Sequence, residues 1–290
     1  MISTETYLVL MLLASMAAGA LGALVGVGGG ILIVPILTMG FAVPVQYAMG
    51  ASIVSVIGTS SGAASAHVKD KISNFKIGTF LNAATTTGAV IGSVLSIYLV
   101  GIGLSSVIYL IFGAVLMYCA YDLYRKVRKE HRIGSGDFNV KPNRISEALG
   151  LKGEYYDPAL RQKLSYEAGN AFGGLGIMGV AGLLSGLLGI GSGALNVLSM
   201  DEAMRLPFKV STATSNFIIG VSAAASAGIF LLKGWVNLLI VGPVAIGVTI
   251  GSVAGAKALT HSKPLSIRIV FTLILVISSV EMLQKGIALI

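Results

Sequence analysis

Long apolar runs separated by short polar stretches dominate this chain. A bilayer-spanning helix needs about 20 mostly apolar residues. Eight stretches reach that length: 7–25, 46–66, 77–99, 104–124, 171–188, 210–232, 236–259 and 265–288. Two further apolar pieces, 31–43 and 194–200, are too short for an ordinary span. Each follows a glycine cluster. The first reads Val25-Gly26-Val27-Gly28-Gly29-Gly30-Ile31-Leu32 and the second Leu188-Gly189-Ile190-Gly191-Ser192-Gly193-Ala194-Leu195. They lie 163 residues apart (189 − 26). A glycine inside a helix costs about 1 kcal/mol against alanine, so the pattern predicts a helix break at each cluster, followed by a half-helix or re-entrant piece. Non-helical backbone at membrane depth is stable only where it is buried in protein or lines a wet cavity.

Segment 125–168 departs from the pattern. It holds 10 of the 20 Lys and Arg residues, opening on Arg125, Lys126, Arg128, Lys129 and Arg132, and six acids: Glu130, Asp137, Glu147, Glu154, Asp157 and Glu167. Gly134-Ser135-Gly136 and Pro142 interrupt it further. A basic start directly after a span assigns it to the cytoplasm. The chain therefore divides into a first transmembrane repeat (1–124), a polar cytoplasmic connecting segment (125–168) and a second transmembrane repeat (169–290). The connection bearing Lys69, Lys71 and Lys76 then falls on the cytoplasmic side. With eight spans the Met1 end and Lys285 do too, and the loops around Asp201, Glu202, Arg205 and Lys209, and around His261 and Lys263, fall outside. Four spans per half plus a re-entrant piece is the favoured arrangement. Five crossings per half, which would invert one repeat against the other, is the alternative.

Composition agrees. The chain is 55% hydrophobic and 11% charged, whereas soluble domains carry about 25% charged residues. Its mean hydropathy is +0.88. The expectation is an all-α polytopic membrane protein of the cell membrane, with about eight transmembrane helices in two repeats. The first apolar run is read as a retained span, being too long for a signal-peptide core. One cysteine, Cys119, excludes an internal disulfide.

The repeat extends beyond the glycines. Gly50-Ala51-Ser52 aligns with Thr212-Ala213-Thr214, and Gly58 with Gly220, at an offset of 162 (212 − 50). Asn74 aligns with Asn237 at 163. Gly88-Ala89-Val90-Ile91-Gly92-Ser93-Val94 aligns with Gly247-Val248-Thr249-Ile250-Gly251-Ser252-Val253 at 159 (247 − 88). Broken helices at corresponding places in two halves are where transporters hold substrate.

At Gly22 to Pro35 (GALVGVGGGILIVP), at Gly182 to Leu198 (GLLSGLLGIGSGALNVL) and at Leu206 to Asn216 (LPFKVSTATSN), the chain resembles the sulfite exporter TauE/SafE family of membrane permeases. The resemblance covers nearly the whole chain outside 125–168. It implies movement of sulfite, sulfonates or related small anions, with substrate and direction differing among members. The two copies differ: Leu198 stands where the first has Pro35, and Ser192 where it has Gly29.

Such a break suits an oxyanion. Consecutive backbone N–H groups at a glycine turn converge on one anion, and a following half-helix aims its positive end at the same point. Glycine admits the anion closely because it has no side chain. A lysine at that depth would cost several kcal/mol to bury. The candidate substrate-binding residues are Gly28, Gly29, Gly30 and Ser52 in the first half, and Gly191, Ser192, Gly193, Asn196, Thr214, Ser215 and Asn216 in the second. Ser55 is a further hydroxyl on the helix after the first cluster. The second cluster is expected to hold more of the polar contacts and the first to act as the hinge. The plainer reading of small-xxx-small patterns such as Gly88/Gly92 and Gly247/Gly251 is close helix packing. Hydroxyls in spans mostly bond back to their own helix.

Lys257, Arg268 and the Glu281/Lys285 pair read as side chains snorkelling from helix ends. Arg268 is a candidate guide at the mouth. His67 and His261, at span boundaries, are minor candidates for proton coupling. Gly189-x-Gly191-x-Gly193 lacks the strand and acidic residue a dinucleotide-binding loop requires. With no HExxH, GxSxG or Cys/His metal spacing, neither an enzyme, a metal nor a cofactor is expected. The expected partners are the small anion and the lipid bilayer. A homodimer is left open, and no nucleic acid is expected.

Overall fold

The computed structural model describes residues 4–25, 29–69, 73–130, 144–157, 162–259 and 264–289. Among these the chain forms α1 Thr4–Val25, then α2 Gly30–Pro35, continued by a π-helical stretch, Ile36–Gly40. Next come α3 Val45–Lys69, α4 Phe75–Gly101, α5 Ser105–Glu130 and α6 Arg144–Ala148. Two strands follow, β1 Lys152–Asp157 and β2 Gln162–Glu167. The second half holds α7 Ala171–Leu188, α8 Gly193–Leu198 with a π-helical stretch Ser199–Ala203, α9 Phe208–Leu232, α10 Leu238–Leu259 and α11 Pro264–Ala288. Among the described residues, the regular elements outside the connecting segment are all helices. Six helices are long and apolar enough to cross a membrane: Thr4–Ala23, Phe75–Gly101, Ser105–Arg125, Ala171–Leu188, Lys209–Leu232 and Ile269–Ala288. The other two expected spans form helices as well, α3 and α10, with 25 and 22 residues. Ser52, Ser55, Thr59 and Ser60 dilute the apolar content of α3. The apolar part of α10 runs over Leu238–Ala254.

Element boundaries recur at one offset. α2 and α8 begin at 30 and 193, the π stretches at 36 and 199, α3 and α9 at 45 and 208, and α4 and α10 at 75 and 238, each pair differing by 163 (193 − 30). Local detail recurs with them. The Val43 N–H donates to the Leu37 carbonyl at 3.0 Å, and the Leu206 N–H to the Met200 carbonyl at 2.9 Å. Ala42 and Arg205 are the positive-φ non-glycine residues, at 51° and 53°, a backbone strain of about 1–3 kcal/mol each. A proline two residues on, Pro44 or Pro207, precedes the next helix, where its missing N–H is not needed.

This offset corrects two of the sequence alignments. Ser52 and Ser215 are the equivalent pair on α3 and α9, so the 162 match is one residue out. On α4 and α10, a Cβ on Gly88 would strike the Gly179 carbonyl of α7, and one on Gly251 the Met16 carbonyl of α1. Met16 and Gly179 differ by 163, which makes Gly88 the counterpart of Gly251 rather than Gly247. The alignment at 159 had slipped by one helical turn. A small-xxx-small pattern repeats every four residues, so it matches itself after such a slip.

The halves interlock. The main contacts are α1 on α10, α4 on α7, α3 on α9 and α5 on α11, so the first helix of each half packs on the other half. Glycines set these contacts: a side chain on Gly182 or Gly186 would strike the carbonyls of Thr85 or Ala89, and one on Gly19 or Gly247 those of Val248 or Leu12. Packing was the plain reading of the Gly88/Gly92 and Gly247/Gly251 patterns, and these glycines sit in such contacts. α3 and α9 run antiparallel. Just beyond the end of α3, Ser73 Oγ donates to the Ala213 carbonyl (3.3 Å) and the Asn74 N–H to Thr214 Oγ1 (3.1 Å), near the start of α9. Conversely Gly50, near the start of α3, packs on the Trp235 carbonyl just after α9. α5 and α11 are antiparallel too, with Gly113 against Leu283 and Gly286 against Leu110. Equivalent helices therefore point opposite ways. That direction matches the alternative of five crossings per half rather than the favoured four, which would leave them parallel.

The connecting segment, where the sequence supports no folded domain beyond a short amphipathic element from Tyr155 to Tyr166, folds in part. β1 and β2 pair antiparallel from Lys152↔Glu167 to Asp157↔Gln162. Leu151, Tyr155 and Tyr166 bury against Ile77, Leu81, Met200, Met204 and Leu206. The Asn74 amide caps α4 through the Ile77 N–H (3.1 Å) and donates to Tyr166 Oη (3.1 Å) and the Lys152 carbonyl (3.3 Å). Burial pushes the Tyr166 phenol above its ordinary range, and the Asn74 hydrogen bond pulls it part of the way back. The Gly169 N–H donates to the Met204 carbonyl at 2.9 Å, tying this segment to the turn after α8.

Candidate functional site

The two glycine clusters meet in the interior. A Cβ on Gly30 would lie 2.7 Å from the Ile190 carbonyl oxygen and would strike the side chain of Val56. A Cβ on Gly191 would lie 2.9 Å from the other methyl of Val56 and 3.5 Å from Ile219. Val56 on α3 thus wedges between both clusters, a role no polar or glycine signal in the sequence could announce. Val56 and Ile219 are themselves equivalent (219 − 163 = 56).

The backbone explains why glycine stands here. Gly189 caps α7 at φ 68° in the left-handed region, and Gly191 has φ 77°. L-residues with side chains rarely adopt that conformation. Gly29, by contrast, is right-handed at φ −68°; it is glycine for space, since a Cβ would lie 2.9 Å from Val248 and 3.1 Å from the Gly19 backbone. Gly28 lies outside the described residues.

One hydrogen bond is duplicated across the halves. Ser52 Oγ donates to the Gly30 carbonyl at 2.9 Å, and Ser215 Oγ to the Gly193 carbonyl at 3.4 Å. Each serine pins the first residue of its half-helix to the following long helix. Ser55 Oγ turns back to the Ala51 carbonyl, 2.8 Å away. Thr214 Oγ1 accepts the Asn74 N–H described above. Asn216 is half-buried on α9. These residues surround the breaks, but Ser52, Thr214 and Ser215 already have protein partners.

Two candidates stand apart. Ser192 is 2% exposed and Asn196 0%. Ser192 Oγ and both amide atoms of Asn196 are buried without a hydrogen-bond partner. A buried polar group left so is destabilising by about 1–3 kcal/mol, and most native ones are satisfied. Three such atoms lie within one turn of a broken helix: two donors, the serine hydroxyl and the amide NH₂, beside one obligate acceptor. Their counterparts in the first half are Gly29 and Ile33 (192 − 163, 196 − 163), which offer no polar side chain. Ser211 Oγ and Thr212 Oγ1 on α9 are likewise buried and unpartnered. Nothing in the sequence marks these two, because a hydroxyl in a helix ordinarily finds its own backbone. His67, His261, Lys257 and Arg268 lie where side chains are outside the described residues.

Lys285 is no free snorkeller. Its Nζ donates to the Thr38 carbonyl at 3.0 Å, at the C-terminal end of the first broken helix, and sits 5.2 Å over the Tyr109 ring. A cation there complements the negative end of the helix. An apolar cleft of about 550 Å³ between α5, α7 and α8, lined by Ile111, Val180 and Leu195 among others, includes none of the polar candidates.

The family described as sulfite exporter TauE/SafE matches residues 11–282 of the chain. Among curated proteins it is similar to the "Probable membrane transporter protein YunE" of Bacillus subtilis (strain 168), at 29% identity over 288 residues, 96% of this chain and 98% of that one. It is also similar to the "Probable membrane transporter protein YdhB" of the same organism, at 23% over 249 residues, 86% and 89% of the two chains. No solved structure matches.

Proposed function

The chain belongs to the sulfite exporter TauE/SafE family of membrane transport proteins, and on that premise we propose that it is a secondary transporter of small sulfur-containing anions: sulfite, a sulfonate or a related oxyanion. The observation that carries this reading is the unpartnered set of Ser192 Oγ and the Asn196 amide, buried at the second glycine break. An anion accepts from the hydroxyl and the amide NH₂. The amide oxygen takes a donor from a protonated oxyanion, a water or a neighbouring hydroxyl. Three neutral groups hold a monoanion loosely enough for release, which a buried lysine would oppose.

In this reading the protein lies in the cell membrane with eight long helices crossing it. The short α2 and α8 segments return the chain across, so each half makes five crossings and the halves are inverted. The connections then sort by charge. Of 20 Lys and Arg residues all but Lys233 and Lys285, that is 18 (20 − 2), fall on or beside the face that carries the connecting segment. The positive-inside rule makes that face cytoplasmic. Transport proceeds by alternating access, with the interlocked halves rocking about the contact at Val56.

Flux in proteoliposomes tests the function. Sulfite or ethanesulfonate should move in vesicles containing the protein and not in empty ones. Absence of flux for sulfite, ethanesulfonate and thiosulfate would reject the substrate class.

A further inference from the structure

We propose that the anion passes between the site and the connecting-segment face along a buried polar path on α9, with Ser211 and Thr212 as its inner contacts. This inference rests on Ser192 and Asn196 being the substrate contacts.

The register of α8 against α9 carries the argument. Ile219 lies against Gly191, and Ser215 bonds to the carbonyl of Gly193. Stepping along α8 away from the break thus steps back along α9 toward its start. In that register the next turn of α8, at Asn196, falls beside the next turn of α9 back from Ser215, at Ser211 and Thr212. Ser211 is 0% exposed, and both hydroxyl oxygens are buried without a partner. They are therefore available to an anion leaving Asn196. One turn farther, Lys209 and Arg205 stand exposed at the start of α9.

That end lies on the connecting-segment face. Gly169, directly after the segment, bonds to Met204. Arg125, near the end of α5, pairs with Glu202 at 3.8 Å. The first half has no such path. The positions equivalent to Ser211 and Thr212 are Ala48 and Met49 (211 − 163, 212 − 163), both fully buried and apolar. The broken helices share a backbone, but a polar exit is built on one side.

Cysteine labelling tests this without requiring flux. In a Cys119→Ser background, Ser211→Cys and Thr212→Cys are prepared separately. Lys163→Cys, on the exposed face of the hairpin, is the control. Oriented vesicles are treated with membrane-impermeant thiosulfonates, one anionic (sulfonatoethyl) and one cationic (trimethylammonium-ethyl). The path predicts reaction at both positions at least tenfold faster from the connecting-segment face than from the other. It also predicts an anionic-to-cationic rate ratio at least fivefold above that of the control. Absence of reaction, equal reaction from both faces, or the control's ratio would overturn it. Thr212→Val, which keeps the side-chain shape, is the second arm: ethanesulfonate flux should fall at least fivefold, and unchanged flux would overturn the role of Thr212. A protein that labels as expected but carries no sulfur anion overturns the proposed substrate and leaves the path standing. One that carries ethanesulfonate but does not label overturns the path alone.

Discussion

The two broken helices, Gly30–Gly40 and Gly193–Ala203, have the same backbone and opposite chemistry. Both run as six α-helical residues into five π-helical ones, end on a strained non-glycine residue and are pinned by a serine from the next long helix. In the first, every residue from Gly30 to Pro35 is buried and apolar, and its glycines answer to steric contact with Val56, Ile190, Val248 and Gly19. In the second, Ser192 and Asn196 hold polar atoms that the protein leaves unsatisfied. The two breaks thus share an architecture, while the buried polar atoms without a partner lie at the second and steric contact fills the first.

The largest test of that division is Asn196→Leu. It should reduce ethanesulfonate flux at least a hundredfold in reconstituted vesicles while the protein inserts normally. Ile33→Leu, its counterpart, should change flux less than threefold. Comparable losses from both would erase the distinction.

Next in size are the glycines. Gly191→Ala adds a left-handed strain to a contact with Val56, and should lower stability by about 1–3 kcal/mol. Gly30→Ala forces a methyl against Val56 and the Ile190 carbonyl, and overpacking of that kind is destabilising by about 1–3 kcal/mol as well. Thermal unfolding in detergent measures both. A partial rescue of each by Val56→Ala would confirm one shared wedge; rescue of only one would separate the clusters.

Smaller effects should come from the duplicated serine bond. Ser52→Ala removes a 2.9 Å bond and Ser215→Ala a 3.4 Å one. A buried neutral hydrogen bond contributes about 0.5–1.5 kcal/mol, so the first should lower the unfolding midpoint more than the second. Reversal would mean that the second half depends on its pin more than its geometry implies. The smallest effect belongs to Glu202→Gln. The Arg125–Glu202 pair is 3.8 Å apart, with side chains 45% and 54% exposed, and such pairs are worth less than about 1 kcal/mol. Its midpoint should stay close to that of the parent chain.

Much of the candidate site was legible before any fold was known. A serine and an asparagine beside a glycine break within an apolar run are conspicuous, because polar groups at membrane depth need partners. Ser52, Thr214 and Ser215 were legible too, but their task was not. Whether a hydroxyl bonds to protein or awaits a ligand depends on what lies across the helix interface. Ser211 and Thr212 were hidden for the same reason. Of the hairpin, the sequence shows only a short amphipathic stretch from Tyr155 to Tyr166, because what it packs on, Ile77, Leu81 and Met204, lies far away along the chain.

The sequence by itself determined the helical membrane class, the two glycine breaks, the offset of 163 between them and the family. Hydrophobic run length and backbone propensity act locally, so they can be read from neighbouring residues. Only the tertiary structure decided that equivalent helices run antiparallel, that the halves exchange their first helices, and that Val56 joins the clusters. Small-xxx-small packing patterns match themselves after every turn and read equally well in either direction. The direction and register of a helix pair are therefore set by long-range contacts, and those contacts leave Ser192 and Asn196 without partners.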